Sequence, residues 1–379
     1  MSRMPNITIP AELLPADGRF GSGPSKVRQE AVARLADVAP QLLGTSHRRQ
    51  GVRDQVRRIR EGLRTFFDLP EGYEVALGNG GATLFWDIAS HCLIRERSAH
   101  AVFGEFSAKF AAAVTATPFL ADPVIVESAA GTHPTLAAVD DVDAYALTHC
   151  ETSTGVAMPV SRPAEGLVLV DATSGAGGLP LDPAEADAYY FSPQKCFGSN
   201  GGLWLALLSP TAIARSDEVA ATGRYVPAML DLRIALDNSR LEQTYNTPSI
   251  ATVFLMAEQV EWMNAQGGLA WAVKDCAAKS GHLYDWAEAS DYATPFVADP
   301  AQRSNVVCTI DLDERIPAAD VNAALRAHGV VDTEAYRTLG RNQLRIAVFP
   351  AIDPGDVQRL TAAIDHIAAA LDGGAAGTS

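Results

Sequence analysis

The chain has 379 residues, 47% of them hydrophobic and 20% charged, which is the composition of a globular protein long enough for two sizeable cores. Its 45 acidic side chains outnumber 30 basic ones, and the resulting net charge of -15 argues against nucleic acid or an anionic membrane surface as a partner. No apolar run approaches the roughly 20 residues that span a bilayer, and "MSRMPNITIP" carries no secretory h-region, so a cytoplasmic protein acting on small molecules is expected.

In chain order, "RDQVRRIREGLRTFFDL" brings Val56, Ile59, Leu63 and Phe66 round at steps of three and four, which predicts a helix whose arginines face water. From about residue 55 to 210, short apolar runs alternate with helical patterns. The runs are "YEVAL" (73–77), "AVF" (101–103), "PVIVE" (123–127), "AYALTH" (144–149), "LVLVD" (167–171), "AYYFS" (188–192) and "LWLALLS" (203–209). This alternation predicts an α/β fold, a parallel sheet wrapped by helices. Beyond about residue 248 come two long amphipathic helices, "SIATVFLMAEQVEWM" and "LAWAVKDCAAKSGHLYDWAEA". They are followed by "SNVVCTIDL", a helix near 318–328, "QLRIAVF" and a last helix ending near Leu371, which together suggest a smaller α+β domain. The expected division is an N-terminal segment 1–20, a large domain 21–262, a small domain 263–371 and a flexible tail 372–379. Five scattered cysteines without a C-x-x-C pair, and eight histidines without ligand spacing, predict neither disulfides nor a metal site.

In open α/β sheets, ligands bind outside the carboxyl ends of the strands, so the residues following each run carry the chemistry. After "YEVAL" stands "GNGGAT" (78–83), glycines leading into a helix that begins near Thr83, where backbone N–H groups could hold a phosphate. It is not G-x-G-x-x-G, because Thr83 occupies the third glycine's place, and a plain turn is the competing reading. After "AVF" comes Phe106, a ring for a strand end or for the core. "CETSTG" (150–155) offers hydroxyls and a carboxylate that either bond a polar ring or cap a helix. "LVLVD" ends on Asp171, whose burial needs a cation unless it caps the next turn. A Walker B role is excluded by the spacing of "GSGPSK" (21–26). One strand further stands Lys195, by itself a solvated surface charge. Together these groups suit pyridoxal 5'-phosphate, which needs a lysine for its aldehyde, an acid beside its ring nitrogen, donors for its phosphate and a flat surface against its ring.

In order along the chain, "FGSGPSK", "TSHRR", "GNGGATLFW", "GEFSAKF", "ETSTG", "DATSGAGG", "SPQK", "YNTPSIAT" and "GRNQLRIAVFP" resemble the phosphoserine aminotransferases, within the class-V, fold-type I pyridoxal-phosphate enzymes, and most closely their actinobacterial branch. The resemblance runs from about residue 19 to 350. It implies a large domain on a mostly parallel seven-stranded sheet with a smaller α+β C-terminal domain. It also implies amino-group transfer between glutamate and 3-phosphohydroxypyruvate, giving phosphoserine and 2-oxoglutarate in serine synthesis. A phosphorylated keto acid of pyridoxine synthesis is a further family substrate, and other class-V reactions, such as serine or alanine:glyoxylate transamination, are the alternative. By the same resemblance Lys195 carries the cofactor and moves the α-proton, Asp171 partners the ring nitrogen and Phe106 stacks on the ring. Thr152 and Thr173 bond the cofactor, while Gly81, Ala82, Thr83 and Gln194 surround its phosphate. Asn246 and Thr247 reach that phosphate from the neighbouring subunit of a homodimer. Arg345 clamps the substrate carboxylate, and His47 with Arg48 recognises the substrate phosphate. The sequence makes three departures from the family: Phe106 replaces a common tryptophan, Ala82 replaces an arginine of some relatives, and Thr338 and Leu339 replace a His-Arg pair. Arg341 and Arg337 flank that last gap and are expected to restore its charge.

Overall fold

The structure, a computed structural model, describes residues 7–376. Its elements are α1 (Gln29–Leu42), α2 (Gln50–Phe66), β1 (Glu74–Asn79), α3 (Ala82–Cys92), β2 (Ser98–Val102), α4 (Glu105–Thr115), β3 (Val124–Glu127), β4 (Ala144–Thr148), β5 (Cys150–Glu151), β6 (Val156–Ala157), β7 (Leu167–Asp171), β8 (Ala188–Phe191) and β9 (Leu203–Leu208). The chain continues with α5 (Pro210–Ala221), α6 (Leu232–Arg240), α7 (Ile250–Gln266), α8 (Gly268–Ala289), β10 (Ala293–Pro295), β11 (Val307–Leu312), α9 (Ala318–Ala327), β12 (Gln343–Ala347) and α10 (Pro354–Ala376).

All seven apolar runs enter one sheet, in the order β1-β9-β8-β7-β4-β2-β3. Four of its pairings are parallel, and β9 runs antiparallel to both β8 and β1. Two reversals in succession cancel, so β1 points the same way as β8, β7, β4, β2 and β3. The carboxyl ends of those six strands therefore lie along one edge. Helices cover both faces, which is why the strands read as continuous apolar runs rather than alternating ones. On one face Val56, Ile59, Leu63 and Phe66 of α2 and Val253, Met256 and Val260 of α7 pack on Val168, Val170 and Tyr189. On the other, Phe85 and Ile88 of α3 and Phe110 of α4 pack on Tyr190 and Trp204. Each such side chain contributes about 1.5–3 kcal/mol on burial.

Two expectations need correction. The arginines of α2 do not simply face water: Arg58 pairs with Glu258 and Glu261 of α7 at 2.6 Å, and Arg60 Nε donates to the Val75 carbonyl at 3.0 Å. Helix α7 is buried almost all round rather than on one stripe, because α1, α2 and α8 all pack against it. A three-stranded antiparallel sheet, β10-β11-β12, forms a second core with α8, α9 and α10, built on Ile310, Leu344, Ile346, Leu283 and Leu360. Ile9 and Phe20 from the N-terminal segment are buried in that core. Helix α10 continues past Leu371 to Ala376, so the expected frayed tail is helical there, and its last three residues lie outside the described ones. The five cysteines are all buried and free, and among the described residues no helix is long and apolar enough to cross a membrane.

Candidate active site

The common strand edge opens into a cavity of about 160 Å³. Gly81, Ala82 and Thr83 line it from the start of α3, Phe106 from α4, Thr152 from the segment after β5, Asp171 and Thr173 from the end of β7, and Gln194 and Lys195 from beyond β8. Helix α3 has no side-chain cap at Gly81. Of its first-turn N–H groups, that of Ala82 donates to Ser192 Oγ at 2.6 Å and that of Leu84 to the Gly81 carbonyl at 2.9 Å, which among the described residues leaves that of Thr83 for a ligand.

Asp171 stands across from Thr148 on β4 and Tyr190 on β8, at the last position of its strand. Its Oδ1 accepts from the Thr173 backbone N–H at 2.9 Å and from Thr173 Oγ1 at 2.6 Å, and its Oδ2 accepts from Trp86 Nε1 at 2.8 Å. Burial raises its pKa, and these three bonds and a weak attraction to Lys195 pull the other way. Lys195 donates to the Ser22 carbonyl, and burial, with repulsion from Arg345, lowers its ammonium from 10.5 to about 8. The strap that supplies Ser22 runs so close that a Cβ on Gly23, at φ +131°, would stand 2.2 Å from Lys195 Nζ. Only glycine fits there. Ser25 fastens the strap, with its Oγ donating to the Lys195 carbonyl at 2.7 Å.

The "CETSTG" alternatives separate by residue. Glu151 is a helix cap: its carboxylate accepts from the N–H groups of Phe106 and Ser107, from Ser107 Oγ at 3.0 Å and from Ser153 Oγ at 2.7 Å, at the N-terminus of α4. This cap sets where Phe106 sits, and Gly104 gives Glu151 its room, since a Cβ there would meet Glu151 Cγ at 2.2 Å. Thr152 lines the cavity, with its hydroxyl against Ser174 Oγ. Phe106 meets Tyr336 edge-on at 5.8 Å, and Tyr336 in turn lies 5.2 Å from the Arg345 guanidinium. Arg345, on β12, donates to the Thr152 carbonyl at 3.3 Å and keeps a buried Nε without a partner. Its guanidinium therefore has a donor left for an anion.

Other expected residues lie elsewhere in the chain. Thr247 Oγ1 meets His47 Nδ1 at 3.0 Å, and the Thr247 carbonyl accepts from Asn79 Nδ2 at 3.1 Å, so Asn246, Thr247, His47 and exposed Arg48 form a separate group outside the cavity. His47 is buried, which lowers its pKa, and its Nε2 has no partner. Arg341 is turned away: Asp311 holds its Nε at 3.1 and 3.2 Å and its Nη2 at 2.5 Å, and Phe296 covers its guanidinium at 4.6 Å. Its expected role in filling the gap at Thr338 and Leu339 conflicts with that pairing. Arg337 is exposed, on the loop whose Thr338 Oγ1 donates to Glu105 Oε2 at 3.3 Å. Trp86, Ser192 and Tyr336 were missed. Trp86 and Ser192 stood inside quoted motifs, and Trp86, three residues after Thr83, is on the same helix face as the anion cradle.

These residues fit pyridoxal phosphate. A carboxylate and a Gln194 Oε1, both buried and without an ion-pair or hydrogen-bond partner respectively among the described residues, a lysine amine with a lowered pKa and an uncapped helix start all converge on one cavity.

The family model described as Aminotransferase class-V matches residues 20–334. The phosphoserine aminotransferase of Nocardioides sp. is 59% identical over 366 residues, covering 95% of this chain and 98% of that one. That of Rhodococcus opacus is 57% identical over 366 residues, covering 96% and 98%. The crystal structure of a phosphoserine aminotransferase from Cytophaga hutchinsonii superposes with a TM-score of 0.86 at 24% identity, over 92% of this chain and 99% of that one, which shows the shared fold.

Proposed function

The chain belongs to the class-V aminotransferases and, within them, to the phosphoserine aminotransferases, and we propose that it moves an amino group between glutamate and 3-phosphohydroxypyruvate with pyridoxal 5'-phosphate as its resident cofactor. One observation carries this reading: Lys195 and Asp171 line the same cavity beside an uncapped helix start. When bound, pyridoxal phosphate supplies the aldehyde that takes up and returns the amino group, and a ring cation that withdraws electrons from the substrate's α-carbon.

Each step assigned to the protein follows from its environment. Lys195, with its ammonium lowered to about 8, has a substantial neutral fraction near pH 7–8 and can take and return the α-proton at Nζ. Asp171 keeps a proton on the ring nitrogen by placing a buried negative charge opposite it. Phe106, fixed by the Glu151 cap, would supply the flat surface for the cofactor's ring. Arg345, held against Tyr336 with an Nε that has no partner among the described residues, binds the substrate carboxylate.

His47, Arg48, Asn246 and Thr247 form one group away from their own protomer's cavity. In the homodimer we infer, all four serve the neighbouring subunit's site, His47 and Arg48 at the substrate phosphate and Asn246 and Thr247 at the cofactor phosphate. The reaction belongs to cytoplasmic serine synthesis. The test is a half-reaction. Protein loaded with pyridoxal phosphate should lose its visible absorption on adding phosphoserine or glutamate and keep it on adding serine or alanine. Equal bleaching by phosphoserine and serine would favour a small-substrate transaminase instead.

A further inference from the structure

One buried donor at the cavity belongs to a residue outside the set expected from the sequence. Trp86 lies one turn into α3, four residues after Ala82 and three after Thr83, so its side chain is on the cradle's face of that helix. Its ring is 6% exposed and lies parallel to Phe110 of α4, with centroids 6.2 Å apart at 17°. Its indole Nε1 donates to Asp171 Oδ2 at 2.8 Å. Thr173 serves only Oδ1, and the buried hydroxyl of Tyr190, opposite Asp171 on β8, lies within reach of the same indole but makes no hydrogen bond to Oδ2. Among the described residues, Trp86 is thus the one protein donor to Oδ2.

We propose that Trp86 is a positioning residue for the cofactor: its N–H holds Asp171 ionised and in plane, and ties that carboxylate to the helix whose N-terminus takes the cofactor's phosphate. The proposal rests on the assignment of Asp171 and the α3 cradle given above. A carboxylate buried this deeply is driven toward its neutral form unless charge-assisted hydrogen bonds oppose the loss of water. A neutral acid would no longer hold a proton on the ring nitrogen. Because one helix turn carries both the phosphate donors and the indole, the distance between the two ends of the cofactor's seat is fixed by a single rigid element.

The experiment measures the dissociation constant of pyridoxal phosphate for the cofactor-free protein by equilibrium dialysis, in the wild type, Trp86→Phe, Asp171→Asn and the double variant. Trp86→Phe keeps the stack on Phe110 and removes the N–H. It should weaken binding about tenfold or more, the scale of a hydrogen bond to a charged group, and by less than about twofold when Asp171 is already asparagine. Undiminished affinity in Trp86→Phe, or an equal loss in both backgrounds, overturns the proposal while leaving the site assignment intact. Asp171→Asn binding as tightly as the wild type overturns both. Trp86→His restores an N–H on a smaller ring and should recover part of the affinity. Should Trp86→Phe not fold, Trp86→Leu, which also lacks the N–H, is measured through the same cycle, and a loss of equal size with and without Asp171 counts against the proposal.

Discussion

Replacing Lys195 by methionine should make the cofactor-free protein more stable while abolishing transamination. Folded, the Lys195 amine titrates at about 8, and its ordinary value is 10.5. At roughly 1.4 kcal/mol per pH unit, this gap sets about 3 kcal/mol against the ammonium in the folded state at neutral pH. Part of the side chain faces the cavity, and the variant leaves the Ser22 carbonyl without its donor. Those effects together take back about 1 kcal/mol, leaving a net gain of about 2 kcal/mol. With an unfolding entropy of roughly 2.1 cal/mol/K per residue, the melting point should rise by about 2–3 °C at pH 7. The pH dependence has a definite sign. Between about 8 and 10.5 the unfolded chain binds more protons than the folded one, so wild-type stability climbs with pH across that window, and the cost is fully present below it. The advantage of Lys195→Met should therefore shrink as pH rises from 8 to 10.5. Differential scanning calorimetry of the cofactor-free proteins across that range measures it, and a variant that melts below the wild type at pH 7, or by a margin independent of pH, refutes the reasoning.

Glu151→Ala leaves the N–H groups of Phe106 and Ser107 and the Ser153 hydroxyl without their acceptor, while Ser107 Oγ keeps the Gly104 carbonyl, and should cost about 3 kcal/mol of stability. A melting point within about 1 °C of the wild type would show that the cap contributes little. Arg341→Ala should leave the KM for phosphoserine within about twofold of the wild type, because Asp311 already holds that guanidinium in an exposed pair. A tenfold rise would return Arg341 to the substrate phosphate. Gly23→Ala forces a side chain into a left-handed backbone position and against Lys195 Nζ, so the protein should keep no visible absorption once unbound pyridoxal phosphate has been dialysed away. A normal spectrum with normal turnover would mean that the strap yields.

The strand ends were legible because a sheet buried on both faces writes each strand as an apolar run, and the chemistry follows wherever the run stops. Lys195, Asp171 and Phe106 were found in that way, and they line one cavity. What was not legible depends on partners distant in the chain. Arg341 looks available in sequence, but the register of β11 against β12 pairs Asp311 with Gln343, and that places the Asp311 carboxylate beside Arg341. His47 and Thr247 are 200 residues apart, and nothing local announces that they share a hydrogen bond away from the cavity. Trp86 reads as one more apolar residue of α3. Its signal was positional, one helix turn beyond the cradle, and the acceptor that makes it matter lies 85 residues further on.

The edge of the sheet carries two buried carboxylates, Glu151 and Asp171, and only Asp171 was expected to be chemical. Burial raises the pKa of both Glu151 and Asp171, and both are met by several donors. Access decides the matter. Glu151 is 0% exposed, and its donors all come from α4 and the adjoining turn, so its charge is spent on the helix N-terminus. Asp171 also accepts three bonds, yet it lines the cavity that Lys195 shares, and no cation within the protein pairs with it among the described residues. A buried anion with its hydrogen bonds made and its counter-charge missing is costly in isolation. The cost is offset when a cationic ring arrives. On that argument cofactor binding and Asp171 ionisation are linked, and the cofactor-free protein should gain more stability from pyridoxal phosphate than Asp171→Asn does, a difference that thermal melting with and without the cofactor measures directly.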